Sequence, residues 1–497
     1  MINKYFIYYL LSLAFITVNL ITLSNLFPWI DEVMMLDTSY NAAFHGAWET
    51  TAWYRVAGQY PFSTYPPLYQ MLAAGWMWLF GGSLVVVRSL NLLITFLLGR
   101  VCLQLMKRQG LQLTFWPAVL FTFLLWGTSE MAWMYRNGRP DMLCALLVAS
   151  TVLVMDGYLT SKTRSARIAV VIATAVLLCS GIQAAVYLCA LWLFLFIVRR
   201  QRRRELIRLF VLMLTGFSLG TLLVASFMTA HGRLVAFVSS IVQYSATLSD
   251  LALAVLPWTG DTFGFDAAPY MQKLLLLTTK MSLGDRLLSM AEYRSFLFLS
   301  ALTLTAYVDH FRNNLMMLFS DKGFLLLILA FYTPIVMVLA GRFPAYYRWM
   351  AFMPLLGSTT FMAARNRWWC AVLCVAALVM SVSGIKSMLP DGQRNYGHLH
   401  SFVQRQRFKS SDVIVCPFSM FYEIKPVCDT CYFAGVFPTE YIHHADYIVE
   451  APHGDSFDKP ITDYVGQIKT DTTLTLVAID HCEYPSLTLY QVRKKHE

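Results

Sequence analysis

"LFPWIDEVMM" occupies residues 26–35, and its place relative to a membrane decides how the whole chain is threaded. An apolar run that begins near Lys4 stops at Pro28 and Trp29, and two carboxylates, Asp31 and Glu32, follow at once. The run, roughly residues 5–27, is long enough to cross hydrocarbon. No small-residue cleavage site intervenes before Asp31, so the segment is expected to be a retained first helix rather than a signal peptide. Lys4 then marks the cytoplasmic side, and the two acids emerge on the opposite face.

Working outward, the composition agrees with this placement. Of 497 residues, 57% are hydrophobic and only 14% charged, too apolar for a soluble multidomain chain, so the expected class is a polytopic all-α membrane protein. The net charge of +10 does not imply nucleic acid, because the basic residues fall in short clusters between apolar segments. Spans are expected near 5–27, 84–106, 112–129, 141–160, 167–181, 183–198, 206–229, 294–309, 323–340, 346–363 and 368–386, about 11 transmembrane helices. Their cytoplasmic turns carry Lys107 and Arg108, then Lys162, Arg164 and Arg167, then "RRQRRRELIR" from Arg199, then "ARNR" around Arg365. An odd count with a cytoplasmic amino terminus puts the carboxyl terminus outside.

The outer loops of this transmembrane domain, residues 1–388, are expected at 28–83, 130–140, 231–293 and 341–346. Within the first, Leu68–Phe80 is too short to cross and rich in aromatics, as suits a helix lying at the interface. From about Leu389 the chain turns polar, and "SDVIVCPFSMFYEI", "TLTLVAID" and "LTLYQV" alternate as strands do. Residues 389–497 are therefore expected to form a small extracytoplasmic α/β domain. Its Cys416, Cys428, Cys431 and Cys482 permit two disulfides in an oxidising compartment, with free thiols as the other reading. The lone C-x-x-C has no second pair at zinc spacing, so no metal site is expected.

Acids, arginines and tyrosines thus gather on one side of the bilayer. A single acid at a helix end is usually a cap, and an isolated arginine beside a membrane is usually an anchor. Asp31 beside Glu32 is harder to explain that way, because adjacent acids near hydrocarbon repel each other and lose solvation. Such unfavourable placements concentrate at functional sites.

The order of these features resembles the GT-C glycosyltransferases, in particular the family-39-like enzymes that include protein O-mannosyltransferases and aminoarabinose lipid A transferases. The residues that carry the likeness are Asp31-Glu32 after the first span, "NAAFHG" from Asn41, "YPPLYQMLAAGWMWLFGGSLVVVRSLN" from Tyr65, "YRNGRPDML" from Tyr135 and "RFPAYYRWMAFMPLL" from Arg342. It is strongest over about the first 200 residues. Some relatives have His or Lys where this chain has Tyr65 before the Pro-Pro pair.

The resemblance implies an inverting glycosyltransferase, in an integral protein of a bacterial inner (plasma) membrane, acting on the outer face. The donor is a polyprenyl-phosphate-linked sugar and the acceptor a lipid, glycan or protein hydroxyl of the cell envelope; membrane lipids are the other partner. Asp31 is implied as general base, with Glu32 and Asp141 beside it. Arginine suits the departing lipid phosphate because it stays protonated and grips two oxygens, so Arg136, Arg139, Arg342 and Arg348 are the candidates, with Tyr346 and Tyr347 as donors. Tyr65, Tyr69 and His45 belong to the acceptor side of the loops. No cofactor is required, and a bound divalent cation is left open. The competing readings are a transporter or flippase of lipid-linked sugars, a diphosphate-linked oligosaccharide ligase, and a non-catalytic scaffold. A transporter calls for ionisable residues along the spans, where acids are scarce.

Overall fold

In hydrocarbon every backbone N–H and C=O must be paired within its own segment, so long runs of Leu, Val, Phe and Ala fold as helices. The structure is a computed structural model that describes residues 4–25, 28, 30–48, 66–111, 113–234, 237–238, 294–339, 347–386, 396–428, 430–433, 445–451, 459–470, 473–483 and 486–494. The helical part runs α1 Lys4–Thr22, α2 Ile30–His45, α3 Leu68–Phe80, α4 Leu84–Arg108, α5 Phe115–Gly127, α6 Ser129–Tyr135, α7 Asp141–Ser161 and α8 Arg164–Ser180. It continues with α9 Ile182–Val198, α10 Arg203–Ala230, α11 Arg294–His310, α12 Lys322–Leu339, α13 Arg348–Arg365 and α14 Arg367–Lys386. Each apolar segment expected to span coincides with one of these helices. Among the described residues, five stretches, Phe6–Asn25, Leu84–Arg108, Asp141–Ser161, Arg203–Ala230 and Arg367–Lys386, are long and apolar enough to cross by length and composition. The chain is an integral membrane protein.

Local chemistry sets the helix ends. Ser83 and Thr163 accept from the backbone of Val86 and Ala166, starting α4 and α8. Asp321 Oδ1 accepts from Gly323 and Phe324, starting α12. α13 is buried on nearly every side and touches α5, α6, α7, α11, α12 and α14, which makes it the central helix. α8 and α10 approach closely where Gly216 and Gly220 face Thr174 and Ala175; a Cβ on Gly220 would sit 2.7 Å from the Ala175 carbonyl.

Within the first expected outer loop, the segment after Pro28 forms the helix α2. Val33, Met35, Leu36 and Tyr40 are buried, and so are Glu32, Asp37, Thr38 and Ser39. The polar residues are buried together with the apolar ones, so no clean apolar stripe marks the helix in the sequence. α3 follows Pro67 and stops at Gly81, whose φ of 99° lies in the left-handed region. Its exposed Trp78, Leu79 and Phe80 fit an interfacial helix.

The carboxyl-terminal part holds α15 Tyr396–Gln406, β1 Val413–Cys416, the short α16 Phe421–Ile424, β2 Thr430–Phe433, β3 Tyr447–Glu450, α17 Lys459–Thr470, β4 Leu474–Cys482 and β5 Leu487–Lys494. The strands form one mixed sheet in the order β2-β1-β3-β5-β4, with β1 parallel to β2 and β3 and the other pairs antiparallel. One sheet face packs on α17 through Val415, Ile448, Ile461, Val465 and Leu474. The small α/β unit is therefore present. It is not a detached appendage: Tyr396, Leu399, Phe402, Phe418, Phe421 and Tyr422 belong to the same apolar cluster as the membrane helices. Cys416, Cys428, Cys431 and Cys482 are all buried in this unit.

Candidate functional site

α4 carries Arg88 within an otherwise apolar stretch, and its side chain is 0% exposed. A guanidinium so placed persists only where its charge and its donors are met. Nε and Nη2 donate to Glu32 Oε1 and Oε2 at 2.8 and 2.7 Å, a two-pronged grip, while Nη1 donates to the Leu23 carbonyl at 2.8 Å. The Gly138 backbone N–H also donates to Glu32 Oε1, at 3.0 Å. A Cβ on Gly138 would collide with Leu36 and come 3.0 Å from Glu32 Oε1, so the turn passes over Glu32 only because Gly138 has no side chain. One helical turn after Arg88, Asn91 Nδ2 donates to the carbonyls of Asn137 and Arg139. Two residues of α4 therefore fix both the start of α2 and the turn between α6 and α7.

Asp31 is the second residue of α2, immediately before Glu32; its side chain lies outside the described residues. Arg136 is buried and turned toward α1, where Nη1 donates to Asn19 Oδ1 and Thr22 Oγ1, each at 2.8 Å, and Nη2 to the Thr22 carbonyl. Burial pulls its pKa down to about 10. Arg139 donates through Nε to Asp141 Oδ2 at 2.8 Å and lies 5.7 Å from the Trp133 ring centre. Arg348 lies 4.8 Å from the Trp133 ring centre, so two guanidiniums from different elements meet at one indole. Tyr347 directly precedes Arg348 and is half-buried; Tyr69 is buried and His45 exposed. Tyr65, Arg342 and Tyr346 lie outside the described residues, as does the loop 239–293.

The carboxyl-terminal unit reaches the same place. Lys425 Nζ stands 3.3 Å from Asp37 Oδ1, with the two side chains 2% and 0% exposed. Burial alone would lower the Lys425 pKa, but the charge and hydrogen bond of Asp37, together with Cys431 and Tyr40 nearby, outweigh it and the value is raised. Tyr422 is fully buried within electrostatic reach of Glu32, Arg88, Tyr69 and Tyr396, and burial pushes its phenol well above the usual range. Among the described residues no group of three or more His, Cys, Asp or Glu side chains converges as a metal cage.

Sequence reasoning assigned no site role to Arg88, Asn91, Trp133, Asp37, Lys425 or Tyr422. Arg88 alone carried a usable signal, an arginine within a spanning segment. The others look ordinary until distant parts of the chain come together.

No family model and no curated protein matches this chain. Among solved structures it is similar to ArnT from Cupriavidus metallidurans bound to undecaprenyl phosphate, with TM-score 0.50 and 12% identity, covering 97% of each chain. It also aligns with the apo state of that ArnT, at TM-score 0.44 and 12% identity, over 96% of this chain and 97% of that one. A third alignment, at TM-score 0.48 and 12% identity, is with an Archaeoglobus fulgidus oligosaccharyltransferase in complex with Zn and sulfate, over 89% of this chain and 67% of that one. The end-to-end likeness to the first is one of fold, and the GT-C-like architecture expected from the sequence is the architecture found.

Proposed function

We propose that the chain is an inverting glycosyltransferase that moves a sugar from a polyprenyl-phosphate donor to a hydroxyl of an envelope lipid, glycan or protein on the outer face of a bacterial inner membrane. The supporting observation is the meeting of α2's acidic start, the α6–α7 turn and the Arg139–Trp133–Arg348 group in one place, within a fold shared with an enzyme solved with a polyprenyl phosphate. With eleven crossings and a cytoplasmic amino terminus, that place faces outward.

Asp31 takes the proton of the acceptor hydroxyl as its oxygen attacks the anomeric carbon. The bond from that carbon to the phosphate oxygen breaks, the pair of electrons leaves with the lipid phosphate, and one displacement inverts the centre. Arg139 and Arg348 balance the charge that grows on the phosphate, and the indole they share keeps both oriented. Glu32 has both oxygens engaged by Arg88 and Gly138, so its role is to position Asp31 through α2. Asp141 orients Arg139. Each described carboxylate of the group is thus matched to an arginine. A divalent cation is not needed to balance this leaving group, and metal dependence is a matter for titration of the purified enzyme.

Mass spectrometry tests the reading. Purified protein is incubated with polyprenyl phosphates carrying a pentose or a hexose and with envelope extract, wild type beside Asp31→Asn. Transfer by wild type alone supports the proposal, and the mass gained names sugar and acceptor. Equal transfer by both proteins removes Asp31 from the chemistry. Donor bound but never consumed by wild type favours a transporter.

A further inference from the structure

Three polar atoms beside the Glu32–Arg88 pair are buried without a hydrogen bond: the Tyr422 hydroxyl, the Tyr69 hydroxyl and Asn91 Oδ1. They come from the carboxyl-terminal unit, from α3 and from α4. Tyr422 lies within electrostatic reach of Tyr69 and of both members of the pair, and Tyr69 within reach of Glu32 and Asp141. Tyr69 and Asn91 lie close enough to each other to pair. Tyr422 would then still lack a partner. Each buried unpaired polar group costs about 1–3 kcal/mol, so a cluster of them is unusual where nothing binds.

We infer that Tyr422, Tyr69 and Asn91 form a subsite for a neutral hydroxyl-bearing ring, the sugar of the donor, and that the carboxyl-terminal unit contributes to donor recognition through Tyr422. This rests on the transferase reading and adds to it which part of the donor is held, and by what. The donor and acceptor pattern selects the ligand class. A sugar hydroxyl both gives and takes a hydrogen bond, so it donates to Asn91 Oδ1 while accepting from a tyrosine. A phosphate oxygen only accepts, and here it would face the Asn91 carbonyl and the Glu32 carboxylate. The phosphate therefore belongs on Arg139 and Arg348, and the sugar on the tyrosines.

The test uses the full-length protein in detergent and removes single oxygens with Tyr422→Phe and Tyr69→Phe, whose melting temperatures are compared with wild type first. Binding is measured for two probes, the bare polyprenyl phosphate and the same lipid carrying a pentose or hexose. The expected result for Tyr422→Phe is about tenfold weaker binding of the sugar-bearing lipid, as for one lost neutral hydrogen bond, with binding of the bare lipid unchanged. A donor lacking the matching ring hydroxyl should bind wild type and the variant equally. Unchanged binding of the sugar-bearing lipid by both variants overturns the subsite, as does equal weakening for both lipids. These readouts need no turnover. If wild type transfers no sugar yet the variant still separates the two lipids, the subsite stands and the transferase reading falls.

Discussion

At the scale of single residues, the pair Glu32–Arg88 holds the site together. Removing one member leaves the other's charge buried without its ion-pair partner, which costs about 3–5 kcal/mol, whereas replacing both by apolar groups of similar size is far milder. Arg88→Met alone should therefore lower the melting temperature of the detergent-solubilised protein sharply, and Glu32→Gln with Arg88→Met should recover most of the loss. A double variant no more stable than Arg88→Met would show that the pair does not act as a unit. Half of this pair was legible in advance. Glu32 stood out because an adjacent acid repels it near hydrocarbon, but Arg88 sits in "LVVVRSLNLL", where the apolar neighbours dominate a hydropathy reading. Arg136 shows the opposite case: its residue type fitted a phosphate ligand, yet its terminal nitrogens are engaged by Asn19 and Thr22 of α1. Which of several arginines faces inward is decided by tertiary contacts that a linear pattern does not contain.

At the scale of elements, the spans were the most legible part, because a membrane demands long apolar helices and charges mark their ends. α2 was not, since it buries Glu32 and Asp37 in ion pairs with α4 and the carboxyl-terminal unit alongside its apolar residues, which blurs any apolar stripe. Glycines show how the spans pack. The Gly216-x-x-x-Gly220 spacing on α10 lets its backbone approach α8, and Gly220 faces the Ala175 carbonyl. A leucine at Gly220 meets backbone rather than a flexible side-chain tip, so α8 and α10 must separate. Gly220→Leu is expected to destabilise the protein by about 1–3 kcal/mol, as overpacking does, and to reduce the yield of folded monomer on size exclusion. Gly466→Leu is the control, for nothing lies within 4 Å of a Cβ placed there. Equal behaviour of the two variants would count against close α8–α10 packing.

At the scale of the whole molecule, composition foretold a polar unit after the last span but not how deeply it would be tied to the membrane part. Lys425 reads as one more exported lysine, and only the fold brings it to Asp37, six residues beyond Asp31 on α2. Around it, Phe421 packs edge-on against Tyr40 with ring centres 6.2 Å apart, so the contact joins an ion pair to an aromatic one. The unit thereby braces the helix that carries the proposed base Asp31, and on that proposal weakening the brace should lower the rate of transfer before it unfolds the protein. Lys425→Met takes the ammonium away from the buried Asp37. It is expected to make the carboxyl-terminal unit easier to cleave from the membrane part by a soluble protease and to reduce the transfer rate at least tenfold, with the affinity for bare polyprenyl phosphate unchanged because the proposed phosphate ligands, Arg139 and Arg348, lie elsewhere. Adding Asp37→Asn removes the stranded charge and should restore much of the protease resistance. Lys425→Arg, which keeps the charge, should retain most of the activity. If Lys425→Met turns over donor at the wild-type rate while its carboxyl-terminal unit is cleaved freely, the unit does not position α2 for catalysis.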